Sequence, residues 1–277
     1  MKLAAAIASA GIEPREARLL LAAVCRMPVA SVLAHPEREL TAEETDRFSA
    51  LAARRRGGEP IAYLLGMREF YGLEFNVSPA VLIPRPETEL LVELAIAWHP
   101  RRVLDLGTGC GAIALAIKHA LPEAEVLAVD SSAAALQIAR SNALRHGLEV
   151  EFRHGHWLDP VAGKRFDLIV SNPPYVAEGD QYLVQGDLRF EPRAALVAGR
   201  EGLEAIREIA AQAAPYLLPG GWLCFEHGLG QDVAVRKLLY ANGFEAVATW
   251  PDLAGIARAS AGRVKSESIN QVFRGRP

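Results

Sequence analysis

Residues 105–111 read Asp-Leu-Gly-Thr-Gly-Cys-Gly. A short apolar run, Arg102 to Leu106, precedes the glycines, and a helical run, Ala112 to Ala120, follows them. Between a strand and a helix, such a loop lets the backbone approach a ligand with no Cβ in the way. The next strand-like run ends at Asp130. An acid at that strand end can accept hydrogen bonds from ribose hydroxyls. Together the loop and Asp130 point to an adenosine-containing cofactor. Two details speak against a dinucleotide. The spacing is G-x-G-x-G rather than G-x-G-x-x-G, and Asp105 ahead of the loop would repel a pyrophosphate. The same carboxylate suits a cation, which the amino group and sulfonium of S-adenosylmethionine supply.

A second constellation is Ser171-Asn172-Pro173-Pro174-Tyr175, directly after the apolar run Phe166 to Val170. Two prolines stiffen the turn and remove two backbone donors, leaving carbonyls free to face a pocket. Asn172 adds an acceptor and a donor, and Tyr175 a flat apolar wall. A planar –NH2 group fits such a turn, bonding the Asn172 side-chain oxygen and the Pro173 carbonyl. That geometry draws the nitrogen lone pair out of conjugation and aims it at a methyl group. An amide nitrogen is a poor nucleophile, so orientation is what the site must supply. The sequence offers no Cys/His or Ser/His pair in its place.

These loops need a sheet to hold them. From residue 86 onward, apolar and helical runs alternate. Strands are expected at 102–106, 125–129, 150–153, 166–170, 221–226 and 244–250. Helices are expected at 112–120, 133–145, 203–214 and 231–241. This alternation implies a mostly parallel α/β sheet covered on both faces. Asn270 to Phe273 is expected to close the sheet, while 254–269 carries no clear strand signal. Residues 1–66 read as a domain of short helices. Pro14 suits a first turn, and Thr41 with Glu44 forms a capping box for a helix running to Arg56. Arg54, Arg55 and Arg56 read as a solvated helix end. Residues 67–85 read as a β-hairpin linker, with arms in 69–77 and 81–83. The second domain then spans 86–277.

Composition narrows the class. Among 277 residues, 51% are hydrophobic and 23% charged, as in ordinary globular chains. The net charge is -3, and 1–80 hold ten basic and ten acidic residues, which argues against direct nucleic-acid binding. Cys25, Cys110 and Cys224 lie too far apart in sequence for a disulfide framework or zinc site and are expected to be reduced, as in the cytoplasm. No apolar run is long enough for a membrane span. Ala8-Ser9-Ala10 has a faint look of a signal cleavage site. The Gly11-Ile12-Glu13-Pro14 stop and restart favours a retained helix.

Further stretches carry a resemblance. These are GIEPREARLLL at 11–21, FYGLEFNVSP at 70–79, LIPRPETE at 82–89, GDLRFEPRAAL at 186–196 and EHG at 226–228. With DLGTGCG and NPPY they resemble the protein-(glutamine-N5) methyltransferases of peptide chain release factors, over nearly the whole chain. The resemblance implies a class I methyltransferase Rossmann-like fold. It also implies methyl transfer from S-adenosylmethionine to the glutamine of a Gly-Gly-Gln loop. By the same resemblance, Gly107, Thr108, Gly109, Cys110 and Gly111 wrap the cofactor, Asp130 holds the ribose and Trp157 lies along the adenine. Asn172, Pro173, Pro174 and Tyr175 form the glutamine pocket, with Asn172 touching the cofactor side as well. Arg85, Glu87 and Glu89 are candidates for the pocket floor. Many relatives carry an acid just before the aromatic, where this chain has His156. A monomer is expected. The competing reading is an adenine-N6 nucleic-acid methyltransferase, which shares NPPY.

Overall fold

The structure, a computed structural model, describes residues 1–266. Five helices come first: α1 (Leu3–Ser9), α2 (Pro14–Cys25), α3 (Val29–Ala34), α4 (Ala42–Arg56) and α5 (Ile61–Leu65). Pro14 occupies the first turn of α2, where a missing N–H costs nothing. Its stripe of Ala17, Leu20, Leu21 and Val24 is buried with Leu3 and Phe48. The expected capping box opens α4. Thr41 Oγ1 accepts from the Glu44 N–H at 3.1 Å, and a Glu44 oxygen accepts from the Thr41 N–H at 2.9 Å. Such a cap stabilises a helix by about 1 kcal/mol.

The arginine cluster differs from the expectation of a solvated end. Arg55 pairs with Glu16 at 2.8 Å and with Asp187 at 3.1 Å. Arg56 donates to the Ala10 carbonyl, and Arg54 pairs with Glu59. The end of α4 is therefore a joint between α2 and a loop 132 positions later. Arg189 of that loop donates back to the Gly57 carbonyl at 2.5 Å.

The hairpin is also corrected. Both arms come from the first aromatic run: β1 (Met67–Phe70) pairs antiparallel with β2 (Leu73–Asn76). Tyr71 and Gly72 hold φ of 51° and 74°, so the chain reverses over two left-handed residues, the hairpin turn that glycine favours. That early turn leaves Val81 and Ile83 buried but residues 81–83 unpaired as a strand. Val81 instead accepts from the Tyr63 hydroxyl at 2.6 Å. Tyr63 and Ala62 pack with the hairpin core, whereas Ile61, Leu64 and Leu65 pack on the N-terminal helices. Helix α5 is thus shared by both packing units.

Next come α6 (Glu89–Trp98), β3 (Arg102–Leu106), α7 (Ala112–Ala120), β4 (Glu125–Asp130), α8 (Ala133–His146), β5 (Glu151–His154), β6 (Phe166–Ser171) and α9 (Glu204–Ala213). They are followed by β7 (Leu217–Glu226), α10 (Asp232–Ala241), β8 (Glu245–Pro251) and β9 (Ala257–Arg263). The seven-stranded sheet has the order β5-β4-β3-β6-β7-β9-β8. It is parallel except for β9, which runs antiparallel between β7 and β8. The sequence expectation of Asn270 to Phe273 as the closing strand lies outside the described residues. The stretch that showed no strand signal, 254–269, supplies β9. Its centre, Ala259 to Gly262, is made of small residues, and at Gly262 the neighbours leave no room for a side chain. A Cβ on Gly262 would lie 2.8 Å from that of Phe244. A strand selected for smallness lacks the β-branched signal by which strands are read.

Strand order reverses between β3 and β6, and a doubly wound sheet opens a crevice at such a switch point. Leu106 of β3 and Ser171 of β6 sit side by side in register, and the Ser171 hydroxyl donates to the Leu106 carbonyl at 2.7 Å. The glycine loop and the NPPY turn therefore leave the sheet next to each other.

Candidate active site

The cavity at this crevice has a volume of about 400 Å³. Gly107, Gly109, Asp130, Trp157, Asn172 and Pro174 all line it. Sequence separation is thus converted into proximity by three strand ends. The Gly107 and Thr108 N–H groups both donate to the Val129 carbonyl, at 2.9 and 3.0 Å. Asp130 clasps the same loop: one oxygen accepts from the Gly109 N–H and the other from the Ser132 N–H, each at 2.8 Å.

The remaining loop residues lie behind the cavity wall. Thr108 is buried, and its hydroxyl donates to Asp105 at 2.7 Å. Cys110 is buried, its thiol pushed up to about 12 by loss of solvation, and its carbonyl accepts from Asn142 at 2.9 Å. Gly111 begins α7 at φ 87°, where a Cβ would meet Leu115 at 3.1 Å and Ala139 at 3.3 Å. It is the packing glycine that seats α7 against α8.

Trp157 holds φ of 40°, a left-handed conformation that costs a bulky residue about 1–2 kcal/mol. This places its ring over the glycine loop, where a Cβ on Gly107 would come within 3.3 Å of it. His156 precedes it where an acid was expected from related sequences. An acid reaches the same wall from elsewhere: Glu208 of α9 lines the cavity and bonds His156 Nε2 at 2.8 Å. Sequence reading missed Glu208 because only the packing of α9 brings it there.

Asp105 is fully buried at the end of β3. One of its oxygens takes the Thr108 hydroxyl, and the other meets no donor in hydrogen-bond geometry among the described residues. Burial pushes its carboxyl up to about 7. The folded state then keeps a proton that the unfolded chain releases near pH 4. Stability of the ligand-free protein therefore falls as pH rises from about 4 to about 7 through this group. Asp105→Asn should unfold at nearly the same temperature as the parent near pH 4 and at a clearly higher one near pH 8. Thermal unfolding across that range measures the gap, and a constant gap would refute the assignment.

On the other strand end, the Asn172 amide nitrogen donates to Thr88 Oγ1 at 3.1 Å. Among the described residues no group donates to the Asn172 side-chain oxygen, which is left for the cavity. Pro173 is buried under the turn. Tyr175 lies behind the wall: its hydroxyl donates to Glu226 at 3.1 Å, and its carbonyl accepts from Gln231 at 3.0 Å. Of the proposed floor residues, Arg85 pairs with the buried Glu191, which also accepts from the Ile83 N–H at 3.0 Å. Glu89 accepts from the Tyr71 N–H at 2.9 Å and so ties α6 to the hairpin turn. Glu87 is exposed. Arg85→Ala would strand the Glu191 carboxylate, at a cost of about 3 kcal/mol. Urea unfolding should show that loss, and a loss under about 1 kcal/mol would contradict it.

Known proteins can now be set beside this geometry. Residues 86–201 match the family model described as methyltransferase small domain, and residues 2–66 match the PrmC N-terminal domain. The release factor glutamine methyltransferase of Xylella fastidiosa (strain Temecula1) is 51% identical over 263 residues, covering 93% of this chain and 96% of that one. The chain belongs to the release factor glutamine methyltransferase family. The family member from Neisseria gonorrhoeae is 49% identical and covers 90% of this chain and 92% of its own. A Pyrococcus furiosus methyltransferase shares the fold at TM-score 0.56 with 19% identity, over 78% of this chain and 99% of that one. So does the Thermus thermophilus 16S rRNA N2 G1207 methyltransferase, solved with AdoMet and guanosine. Its TM-score is 0.53 at 24% identity, over 72% of this chain and 50% of that one. The sheet and the N-terminal helices are thus those of a class I methyltransferase of this family. No described helix is long and apolar enough to cross a membrane.

Proposed function

We propose that this chain transfers a methyl group from S-adenosylmethionine to the side-chain amide nitrogen (N5) of a glutamine in peptide chain release factors, within a Gly-Gly-Gln loop, in the cytoplasm. One observation carries the reading most directly: the Asn172 side-chain nitrogen is committed to Thr88 while its oxygen remains open to the cavity. An acceptor held there meets an –NH2 group and not a carbonyl.

The cavity suits the donor molecule. Its volume, the bare glycine floor at Gly107 and Gly109, and the partnerless oxygen of Asp105 behind it favour a ligand that is bulky and cationic. Asp130 would hold the ribose, with Trp157 along the adenine and Glu208 as the acid on that wall. Thr108, Cys110 and Gly111 would act from behind, by fixing the loop. S-adenosylmethionine supplies an electrophilic methyl group when bound. The protein's part is orientation. Asn172 Oδ1 and the Pro173 carbonyl would each accept one hydrogen of the glutamine –NH2, fixing its plane and raising the lone pair out of it. Pro174 walls the entrance. Tyr175 holds the turn in place from beneath. Fixing two groups in line is worth several kcal/mol of barrier, without any general base in the first step. The working unit is taken to be a monomer that contacts protein and not nucleic acid.

The experiment uses isotopically labelled S-adenosylmethionine. Three acceptors are offered: a release factor, the same factor with its Gly-Gly-Gln glutamine changed to alanine, and an adenine-containing duplex. Label on the intact factor alone is expected. Label on the duplex would replace this reading by adenine-N6 methylation, and label on the alanine variant would move the target away from the glutamine.

A further inference from the structure

The turn that would hold the substrate amide is short of internal restraints. Pro173 and Pro174 have no N–H to donate, and the carbonyl between them is the one proposed to face the substrate. The far end of the turn is fixed from outside. The Tyr175 carbonyl accepts from the side-chain nitrogen of Gln231 at 3.0 Å. The same nitrogen donates to the Gly202 carbonyl at 3.3 Å, and the Gln231 side-chain oxygen accepts from the Gly228 N–H at 2.8 Å. One amide therefore joins three loops: the end of NPPY, the residues before α9 and the loop after β7.

Only one orientation of that amide satisfies its niche. Two of its neighbours are carbonyls, which can only accept, and the third is a backbone N–H, which can only donate. The Gln231 –NH2 must face Tyr175 and Gly202, and its oxygen must face Gly228. The niche is closely fitted as well. Gly202 holds φ of 73°, and a Cβ there would overlap the Tyr175 carbonyl and lie 3.0 Å from Gln231 Nε2. A Cβ on Gly228 would lie 3.0 Å from the Gln231 side-chain oxygen. Gln231 is the residue that opens α10, yet its side chain makes no capping bond to its own helix. A polar side chain at that position ordinarily bonds the free N–H groups of the first turn. This one bonds the neighbouring loops instead.

The clamp has a fixed base and reaches the cavity. Beneath it, His227 is buried and bonds Ser260 of β9 at 2.9 Å, which pins the end of β7. Beyond it, the Val176 N–H donates to the Leu196 carbonyl at 2.9 Å, and the Ala198 N–H donates to the Val176 carbonyl at 3.0 Å. Val197 and Ala198 line the cavity, as do Asn172 and Pro174 on the other side of Tyr175. A shift of the Tyr175 carbonyl would therefore move both walls. We infer that Gln231 is the positioning residue of the substrate-amide site, holding Asn172 and the Pro173 carbonyl in place against the cofactor cavity through the Tyr175 carbonyl. This rests on the role proposed for the NPPY turn above.

Gln231→Met keeps the length of the side chain and removes its three hydrogen bonds. Gln231→Glu keeps the acceptor for Gly228 and, at pH 8, loses both donors. With the release factor and labelled S-adenosylmethionine at that pH, Q231M and Q231E should each lower kcat by about 30-fold with KM changed less than about threefold. The affinity for S-adenosylmethionine, measured by calorimetry, should stay within about threefold. The loss must pass through the turn. In an Asn172→Ala background, Q231M should therefore cost less than about threefold more, whereas a general loosening of the fold would multiply the two losses. Unchanged kcat in Q231M, multiplied losses in the double variant, or a parallel loss of cofactor affinity would each overturn the assignment.

A second readout does not depend on activity. In 15N-labelled full-length protein, Q231M should shift the Asn172 side-chain –NH2 signals, identified by their absence in Asn172→Ala, and the backbone signals of Val176 and Ala198. The backbone signals of Gly107 and Gly109 should stay in place. Shifts absent from all of these, or spread over all alike, would refute the clamp even if methyl transfer is present. Shifts confined to the first group, in a protein that labels no release factor, would uphold the clamp and reject the proposed substrate.

Discussion

Asn172→Ala should lower turnover of methyl transfer by about 1,000-fold while leaving the affinity for S-adenosylmethionine within about tenfold. The asymmetry follows from where the side chain is committed. Its nitrogen bonds Thr88, at the end of the LIPRPET stretch, and the residue lines the cavity with no described group donating to its oxygen. The walls that would hold the donor molecule are built by other residues, Gly107, Gly109, Asp130 and Trp157. Removing the Asn172 amide leaves those walls standing and deletes a contact that strengthens as the substrate nitrogen pyramidalises. Removing one such preorganised group costs about 3–4 kcal/mol of barrier in comparable acyl-transfer sites. Single-turnover transfer of labelled methyl, run at saturating cofactor, measures the step directly, and calorimetry measures the affinity. A turnover within about fivefold of the parent would remove Asn172 from the reaction.

Asp130→Ala should act in the opposite way, weakening cofactor binding by about 100-fold or more while kcat at saturation falls far less. Asp130 has two tasks. It clasps the backbone at Gly109 and at Ser132, both at 2.8 Å, and its edge remains open to the cavity. Charge-assisted hydrogen bonds of this kind contribute about 1.5–3 kcal/mol each, and the loop conformation depends on both. The ribose contact expected from its strand-end position is lost along with them. Asp130→Asn, which keeps one oxygen, should fall between the parent and the alanine variant. Titration of S-adenosylmethionine into each protein gives the ranking. Equal affinity in parent and alanine variants would mean that the cofactor is held elsewhere.

The two substitutions probe parts of the site that differ in how visible they are from sequence. The glycine loop and Asp130 are local: a strand, a turn and a helix within thirty positions, each with its own propensity signal. Their boundaries agree with the structure almost residue for residue, as at Arg102–Leu106 and Ala112–Ala120. The NPPY turn is equally local, since proline geometry acts on adjacent residues. The α4 cap is local too, three residues deep.

Two of the three departures from the sequence reading are long-range or sterically enforced. The arginines at the end of α4 look solvent-bound until Asp187 is brought beside Arg55. Strand β9 carries no strand signature because its centre is alanine, serine and glycine, with Phe244 crowding position 262. The hairpin arms were misplaced because one glycine at position 72 let the chain reverse early.

The amino-acid sequence by itself determined the chemistry of the cavity. It specified the types of group present, their order on the chain and the strand ends that carry them, because short-range backbone preferences write those features into adjacent residues. Only the tertiary structure decided which groups act together. Asn172 meets Thr88, Tyr175 meets Glu226, and Glu208 reaches the wall behind His156, because elements distant in sequence pack around the same edge of one sheet. Contacts of that kind depend on packing and register summed over the whole domain, which no local pattern of residues records.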